Sequence, residues 1–324
     1  MKTTELFSIP DQQSVEIKIP SLEELLALEE VPEAVKKHKS AILQNAKQRF
    51  GGNTNLPPGV YHFNIKESPK HRIDWEPSPH FSNRSSGRID MVIIHYTVTS
   101  NLKNTVAWFQ NPIAKVSAHY VVGKDGTIVQ MVKDEHKAWH AGDSYWKGEK
   151  WCNSFSVGIE VVNEGEKKGI PYTPLQYEAL LYLCSTLKDR YLIDDRRILG
   201  HSDISPYRKI DPGTHFDWGI LQSAGIGFLP QPLRNIKHYD GISLQPGDND
   251  GKGIYAGQKS GVAQRVRELQ TDLRNIGYFI SVDGDYGPKT RSVVEAFQKH
   301  YAKRVVTGVT DADTACFIKG CLAA

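Results

Sequence analysis

Met91-Val92-Ile93-Ile94-His95 is the first apolar run of the central part of the chain. Its four apolar residues predict a buried β-strand, and a histidine stands at the end of that strand. A second apolar run, Val157-Gly158-Ile159-Glu160-Val161-Val162, has a glutamate near its middle. Burying an unpaired carboxylate is costly, so Glu160 needs either a buried ion-pair partner or a chemical role. The sequence therefore predicts buried strands that carry polar side chains.

Further elements place these strands in an α/β domain. Residues 119–123 and 127–132 predict two strands, which are joined by a hairpin turn at Lys124-Asp125-Gly126. Residues 174–191 repeat apolar side chains at helical spacing, and residues 104–110 predict a shorter helix. Because strands alternate with helices and one hairpin is present, we expect a mixed β-sheet flanked by helices.

The composition is that of an ordinary globular protein. At 324 residues the chain fits two domains, with 39% hydrophobic and 24% charged residues. Its net charge of +3 comes from scattered Lys and Arg residues, which argues against nucleic-acid binding. No run of about 18 apolar residues occurs, so no membrane span is expected. The four cysteines form no Cys-x-x-Cys pair, which argues against a cysteine-rich metal site.

Residues 1–80 are predicted to form a helical extension followed by a connector. After an irregular lead-in, residues 22–28 and 33–50 have the apolar spacing of two helices, and residues 52–90 are rich in Pro, Asn and Ser. These helices are expected either to pack on the main domain or to form a homodimer contact. The start of the chain has no apolar core of a signal peptide, which leaves the cytoplasm, unconventional export or a trimmed chain as alternatives.

The C-terminal part is predicted to be a small three-helix domain over residues 259–324. Gly, Asp and Asn are frequent in residues 236–258, which predicts a flexible linker after a main domain at 81–235. Apolar residues between Val262 and Ile276 lie on one helical stripe. Helices are expected at residues 262–276, about 290–300 and 311–319.

Three polar residues of the main domain have the chemistry of a catalytic metal site. His95 ends its strand, and His201 and Asp211 lie in one loop that contains Pro206. Two imidazoles and a carboxylate suit a zinc ion that keeps a fourth position open for water. Taken singly, a histidine at a strand end is an ordinary hydrogen-bonding residue, and an aspartate before Pro-Gly is an ordinary turn former. Together with Glu160, they predict a metal-assisted hydrolase.

Other histidines and aromatic residues are secondary candidates. His140 is expected to shape a substrate cleft rather than to bind metal, and His119 is expected to be structural or to support a ligand. His215 is an alternative metal ligand. Trp139 and Trp146 either line a sugar-binding cleft or pack as ordinary aromatic residues.

Five sequence blocks of the main domain occur in an order that carries a family resemblance. They are His95-Tyr96-Thr97, Ala138-Trp139-His140-Ala141-Gly142, Gly158-Ile159-Glu160, Gly200-His201-Ser202-Asp203 and Lys209-Ile210-Asp211-Pro212-Gly213. They resemble the zinc-dependent N-acetylmuramoyl-L-alanine amidases of type 2, and most of all the bacterial branch that cleaves cell-wall fragments during recycling. Residues 269–270 and 283–290 resemble the three-helix peptidoglycan-binding domain, whereas the first 80 residues carry no such resemblance.

The resemblance implies a fold of the amidase and peptidoglycan-recognition type and a set of chemical roles. His95, His201 and Asp211 would bind one zinc ion, which activates water and polarises the scissile carbonyl. Glu160 would take a proton from the water and pass it to the leaving amine. Lys209 would stabilise the oxyanion. The bond cut would be the amide between the lactyl group of N-acetylmuramic acid and L-alanine.

The resemblance also bears on the substrate cleft and on the subfamily. Tyr96, Trp139, His140 and Trp146 become candidates for contacting the peptidoglycan or muropeptide substrate. A cysteine at the third ligand position would mark the phage and animal relatives, whereas here the residue is Asp211. The choice between 1,6-anhydro and reducing-end sugars is left open, as is the oligomeric state.

Two other functions are compatible with the same residues. One is a non-catalytic peptidoglycan receptor on the same fold, and the other is a zinc peptidase that acts on the peptide stem. A wall-binding module favours the cell envelope or periplasm over the cytoplasm. If that module only targets the enzyme, removing the residues after about 258 should weaken binding to the insoluble cell wall and spare turnover of small fragments.

Overall fold

The computed structural model describes residues 15–19, 59–63, 72–85, 87–234, 238–249, 261–302 and 305–324. The chain divides into two compact units, one formed by Met1–Arg72 with Ser223–Gly225 and the other by Ile73–Gln222 with Ile226–Ala324. In the described residues, no helix is both long and apolar enough to cross a membrane.

The first unit contains a pair of antiparallel strands. Strand β1 (Val15–Ile19) pairs with β2 (Gly59–Phe63), with Val15 opposite Phe63. This corrects the prediction of an irregular lead-in and a connector at these positions. The alternation of apolar and charged residues in Val-Glu-Ile-Lys-Ile is the period-two signal of a strand. The helices predicted between residues 22 and 50 lie outside the described residues, as does the predicted homodimer contact.

A mixed six-stranded sheet forms the centre of the second unit, which confirms the predicted fold class. The strands are β3 (Ile73–Trp75), β5 (Met91–Tyr96), β6 (Tyr120–Val122), β7 (Ile128–Gln130), β11 (Ser156–Val161) and β12 (Ile198–Gly200). Their order in the sheet is β12-β5-β11-β6-β7-β3, and β6 and β7 are antiparallel neighbours, joined by the predicted hairpin. The other neighbours are parallel. The sheet thus begins at Ile73, before the predicted domain start at residue 81.

Two small antiparallel two-stranded sheets and four α-helices complete the described part of the main domain. The small sheets pair β4 (Phe81–Asn83) with β8 (His136–Ala138), and β9 (Tyr145–Trp146) with β10 (Glu149–Lys150). The helices are α1 (Leu102–Gln110), α2 (Pro174–Tyr191), α3 (His201–Ile204) and α4 (Trp218–Ser223). Helix α2 has the predicted bounds, and Thr173 and Gln176 form a reciprocal capping box at its start.

The topology brings polar residues to one edge of the sheet. The side chains of Met91 to Ile94 are fully buried, so β5 is fixed in the core. Strands β5, β11 and β12 are parallel, and Glu160 on β11 lies beside His95 on β5. Strand β12 ends at Gly200, directly before His201. Because the carboxyl ends of parallel strands share an edge, these side chains meet in a crevice at that edge, where α/β proteins bind ligands.

The C-terminal helices confirm the predicted small helical domain. They are α5 (Val262–Ile276), α6 (Pro288–Phe297) and α7 (Ala312–Ala323), and a π-helical turn (Gln298–Ala302) follows α6. The apolar stripe of α5 is buried, as its spacing predicts. One apolar cluster contains Met91 and Leu199 of the sheet together with Tyr278 and Phe297 of the helical domain. The two domains therefore share a core.

Part of the predicted linker is folded. Over residues 238–249, Tyr239 and Leu244 are buried, and Leu244 forms a β-bridge with Thr310. The backbone of Tyr286 exchanges hydrogen bonds with this segment, including a bond from Tyr286 N to the carbonyl of Asp248 at 2.9 Å. The Gly-rich and Asp-rich composition suggested a free tether, but the apolar residues between the polar ones are used for packing.

Candidate active site

His95, His201 and Asp211 converge in the structure. The Nδ1 atoms of the two histidines are 2.9 Å apart, and each lies 3.0 Å from Asp211 Oδ2. All three side chains are buried. Within the described part of the chain, they are the cluster of His, Cys, Asp and Glu side chains with the geometry to hold a metal ion.

Hydrogen bonds on the far side of each imidazole fix which nitrogen faces the cluster. His201 Nε2 lies 3.0 Å from the carbonyl oxygen of Ala141, which can only accept a hydrogen bond. His95 Nε2 lies 3.0 Å from His140 Nδ1, and His140 Nε2 lies 3.3 Å from Ser156 Oγ. We assign the protons so that Nε2 donates in all three rings. The Nδ1 atoms of His95 and His201 then carry free lone pairs.

This donor set fits a zinc ion. Two lone pairs and a carboxylate oxygen at mutual distances of 2.9 and 3.0 Å repel one another unless a cation lies between them. Burial lowers the pKa of His95 to about 4, so its imidazole is neutral at pH 7. Neutral imidazoles and an ionised carboxylate are the forms that ligate zinc.

Glu160 is the unpaired acid of the site. It faces the same cavity as the cluster, and its Oε2 atom is buried without a hydrogen-bond partner. Burial, and next the charge of Asp211, raise its pKa well above the usual value, whereas the charge of Lys209 acts in the opposite direction. A carboxyl group with a raised pKa binds a proton more readily than a free glutamate, which suits a group that accepts a proton and passes it on.

The cavity that contains these groups has a volume of about 350 Å³. Lys209 reaches it from the turn before Asp211, where its backbone N–H donates to the carbonyl of Ser205 at 3.0 Å. One wall is apolar and includes Val98, Trp108 and Val116, whose side chains are 67%, 49% and 38% exposed. The cavity therefore combines ionisable groups at its base with an exposed apolar wall, which suits a ligand with both polar and apolar parts.

Of the four residues predicted to contact substrate, three line this cavity: Tyr96, Trp139 and His140. Trp146 does not, which corrects that part of the prediction. Its side chain is 1% exposed and packs edge-to-face against Tyr278 at 5.1 Å between ring centroids. Trp108 also lines the cavity, and sequence reasoning did not single it out because it lies in helix α1, outside the five sequence blocks.

His140 has a second task besides lining the cavity. Its ring nitrogens contact His95 and Ser156, so it orients His95 from behind. A Cβ atom at Gly158 would lie 2.4 Å from the His140 ring, so position 158 requires glycine to leave room for this ring. No local sequence pattern indicates this support, although His140 and Gly158 both lie in the five sequence blocks.

The two other candidate histidines, His119 and His215, lie outside the metal cluster. His119 is buried, and its Nδ1 accepts a hydrogen bond from Gly158 N at 2.9 Å, which agrees with a structural task. His215 is exposed and borders a different cavity, next to Phe216 and Lys299. The cluster therefore does not include His215, the alternative ligand that the sequence suggested.

Comparisons with known proteins identify the family of this chain. Residues 85–214 match a family model described as N-acetylmuramoyl-L-alanine amidase, and residues 262–316 match one described as a putative peptidoglycan binding domain. The chain is 33% identical over 242 residues to the N-acetylmuramoyl-L-alanine amidase AmiD of Escherichia coli, an alignment that covers 70% of this chain and 80% of that protein. It is 36% identical over 160 residues to the 1,6-anhydro-N-acetylmuramyl-L-alanine amidase AmpD of Haemophilus influenzae, covering 44% of this chain and 85% of that protein.

Solved structures give the same result for the fold. Escherichia coli AmiD, in complex with anhydro-N-acetylmuramic acid-L-Ala-D-γ-Glu-L-Lys, has a TM-score of 0.60 at 28% identity and covers 81% of this chain and 95% of that chain. AmpDh3 of Pseudomonas aeruginosa has a TM-score of 0.55 at 23% identity, covers 81% of this chain and 98% of that chain, and supports the fold alone. The chain belongs to the N-acetylmuramoyl-L-alanine amidase family and carries a peptidoglycan-binding domain after its catalytic domain.

Proposed function

We propose that this protein is a zinc-dependent amidase that hydrolyses the bond between N-acetylmuramic acid and L-alanine. The observation that carries the proposal is the convergence of three ligand atoms in one cavity with the carboxyl group of Glu160, whose Oε2 atom is buried without a hydrogen-bond partner. The receptor function has no such support, because a receptor does not need an unpaired acid beside a complete donor set. Membership of the amidase family supports the same reaction.

Each group of residues in the cavity has its own role in the hydrolysis. His95, His201 and Asp211 hold the zinc ion, which as a Lewis acid lowers the pKa of water and polarises a carbonyl group. Glu160 accepts the proton of the attacking water and delivers it to the leaving amine of L-alanine, since its raised pKa allows both steps. Lys209 neutralises the negative charge that develops on the carbonyl oxygen.

The 1,6-anhydro sugar is the substrate form that we propose. The Escherichia coli AmiD structure holds an anhydro-N-acetylmuramic acid peptide, and the Haemophilus influenzae relative is named for the anhydro sugar. The apolar wall around Trp108 favours the same form, because closing the anhydro bridge removes the hydroxyl of the reducing end. The wall-binding domain supports a location in the cell envelope.

Mass spectrometry of defined muropeptides tests the reaction. We expect free stem peptide beginning at L-alanine and peptide-free sugar, both abolished by a chelator and restored by zinc. Anhydro and reducing-end substrates in the same run measure the sugar preference. Intact muropeptide with a zinc-loaded protein would favour the receptor, and stems shortened on the sugar would favour the peptidase.

A further inference from the structure

Asp203, two residues after His201, is shared by the main domain and the C-terminal domain. Its side chain is fully buried. The carboxylate accepts three hydrogen bonds, from Gly200 N at 2.8 Å, from Tyr278 OH at 2.8 Å and from His300 Nδ1 at 2.7 Å. Two of the three donors therefore come from the C-terminal domain, beyond the end of the main domain in the sequence.

The same turn presents His201 to the metal cluster. Helix α3 has only four residues, so local helix bonds cannot hold it alone. Asp203 closes its start through Gly200 N, and Ser202 N donates to the carbonyl of Asp211 at 2.9 Å. The Asp203 carboxylate thus holds the backbone of Gly200, next to His201, and Ser202 of the same turn holds the backbone of Asp211.

His300 also supports this turn through the ring of Trp218. Its ring stacks on Trp218 at 3.8 Å between centroids and on Tyr301 at 3.9 Å. A Cβ atom on Gly200 would lie 3.3 Å from the Trp218 ring and 2.6 Å from Pro212 Cδ, so the turn is pressed against Trp218 as well. His300 therefore fixes both the carboxylate of Asp203 and the aromatic wall behind Gly200.

We propose that Tyr278 and His300 are positioning residues of the metal centre, and that the C-terminal domain is for this reason a working part of the catalytic unit. Their hydrogen bonds hold Asp203, and Asp203 holds the turn that carries His201. The proposal rests on the proposed zinc site. It replaces the expectation that the C-terminal domain only targets the enzyme to the wall.

Substitutions that remove the donors and keep the rings test the proposal in the full-length chain. Tyr278→Phe deletes one hydroxyl, and His300→Phe keeps the stack between Trp218 and Tyr301 while deleting the Nδ1 donor. We expect the zinc Kd of the double variant to rise about 10- to 100-fold, as for other residues that orient metal ligands. For a soluble muropeptide at saturating zinc, kcat should fall while KM stays within about threefold, because substrate contacts are unchanged.

Two further variants separate positioning from general stability. Tyr286→Phe is the matched control, since Tyr286 is fully buried in the same domain and donates to Gly308 O at 2.9 Å, away from Asp203. It should lower the stability without changing the zinc Kd. His300→Asn keeps a donor near the Nδ1 position and loses the stack, so it should restore zinc affinity relative to His300→Phe.

Hydrogen exchange of the metal-free protein gives a readout that does not depend on zinc or substrate. We expect the amides of residues 200–211 to exchange faster in the double variant than in the wild type or in Tyr286→Phe. Unchanged zinc affinity and exchange in the double variant, or equal losses in Tyr286→Phe, would overturn the positioning role. A wild-type protein that binds zinc but cleaves no muropeptide would overturn the proposed function, and the zinc and exchange measurements would still decide the positioning role.

Discussion

The two histidines of the proposed zinc site are held by different kinds of structure. His95 is part of β5, which is paired with β11 on one side and with β12 on the other. His201 is part of the four-residue helix α3, whose Asp203 is held from the C-terminal domain. A ligand on a central strand is thus placed by the sheet itself, whereas a ligand on a short turn depends on distant segments. The strand half of the site comprises His95, Glu160, His119 and His140, and the turn half comprises His201, Lys209 and Asp211. Substitutions in each half test this difference.

Glu160, in the strand half, has the largest expected effect. Glu160→Gln keeps the side-chain size and removes the proton acceptor, so kcat should fall about 10²- to 10⁴-fold. Zinc content should stay at the wild-type level, because the three ligands are intact. Turnover of an anhydromuropeptide and metal analysis of the same sample measure both quantities.

A nearby carboxylate provides the control for Glu160. Glu164 follows the same strand and pairs with Lys124 Nζ at 3.0 Å instead of facing the metal cluster. Glu164→Gln should leave kcat within about threefold, since partly exposed ion pairs contribute little. A Glu160→Gln variant with near-normal kcat would remove this residue from the mechanism.

Lys209, in the turn half, has the next largest effect. Lys209→Met removes the charge and keeps much of the side-chain volume, so the developing oxyanion loses its neutralising partner and kcat should fall about 10²- to 10³-fold. KM should change much less, because the charge develops only in the transition state. Steady-state kinetics measure kcat and KM separately, and Lys168→Met, a substitution of an exposed lysine, is the control. A rise in KM alone would make Lys209 a substrate-binding residue instead.

The strand half was also the more predictable half of the site. The runs ending at His95 and containing Glu160 predicted buried strands, because apolar periodicity is a local signal. His201 and Asp211 were found through residue chemistry and family resemblance. The residues that hold their turn in place were not found in this way. The contacts of Asp203 with Tyr278 and His300 join positions 75 and 97 residues away in the sequence, which no local pattern encodes.

One residue and one segment show a similar limit. Trp146 was a candidate both for a substrate cleft and for ordinary aromatic packing, and the C-terminal domain decides for packing by placing Tyr278 against its ring. Residues 238–249 have the composition of a tether, yet Leu244 is buried and bridged to Thr310. In both cases a partner from another part of the chain decides burial, and composition within a short window carries no information about that partner.

Loss of the hydrogen bond between His95 Nε2 and His140 Nδ1 should have a smaller effect, and it should act on metal binding. His140→Phe keeps an aromatic ring beside Gly158 and removes the acceptor of His95 Nε2, so zinc affinity should fall about 10- to 100-fold. His80→Phe is the control, because His80 is also buried and contacts the carbonyl of Asn111 at 2.8 Å. Competition with a chromophoric chelator measures both. If His140→Phe bound zinc like the wild type, His95 would be oriented by its strand alone, which would sharpen the contrast between the halves.

The smallest effect concerns the stability of the strand half in acid. Burial, and next the charge of Arg84, lower the pKa of His119 to about 3 in the folded protein, whereas an unfolded histidine has a pKa of about 6.5. Between these values the unfolded state binds the additional proton, so stability is present above pH 6.5 and falls as the pH drops towards 3. Between pH 8 and pH 5 the loss is about 2 kcal/mol.

His119→Asn isolates this contribution, because asparagine can still accept the hydrogen bond from Gly158 N but does not titrate. Urea unfolding at pH 8 and pH 5, with chelator present so that zinc binding does not contribute, gives the free energy of unfolding for both proteins. The variant should be less stable at pH 8 because it leaves a small void. Its loss between pH 8 and pH 5 should nevertheless be about 2 kcal/mol smaller than that of the wild type. Equal losses in both proteins would mean that His119 can be protonated without unfolding, and the strand half would then be less rigid than its paired strands imply.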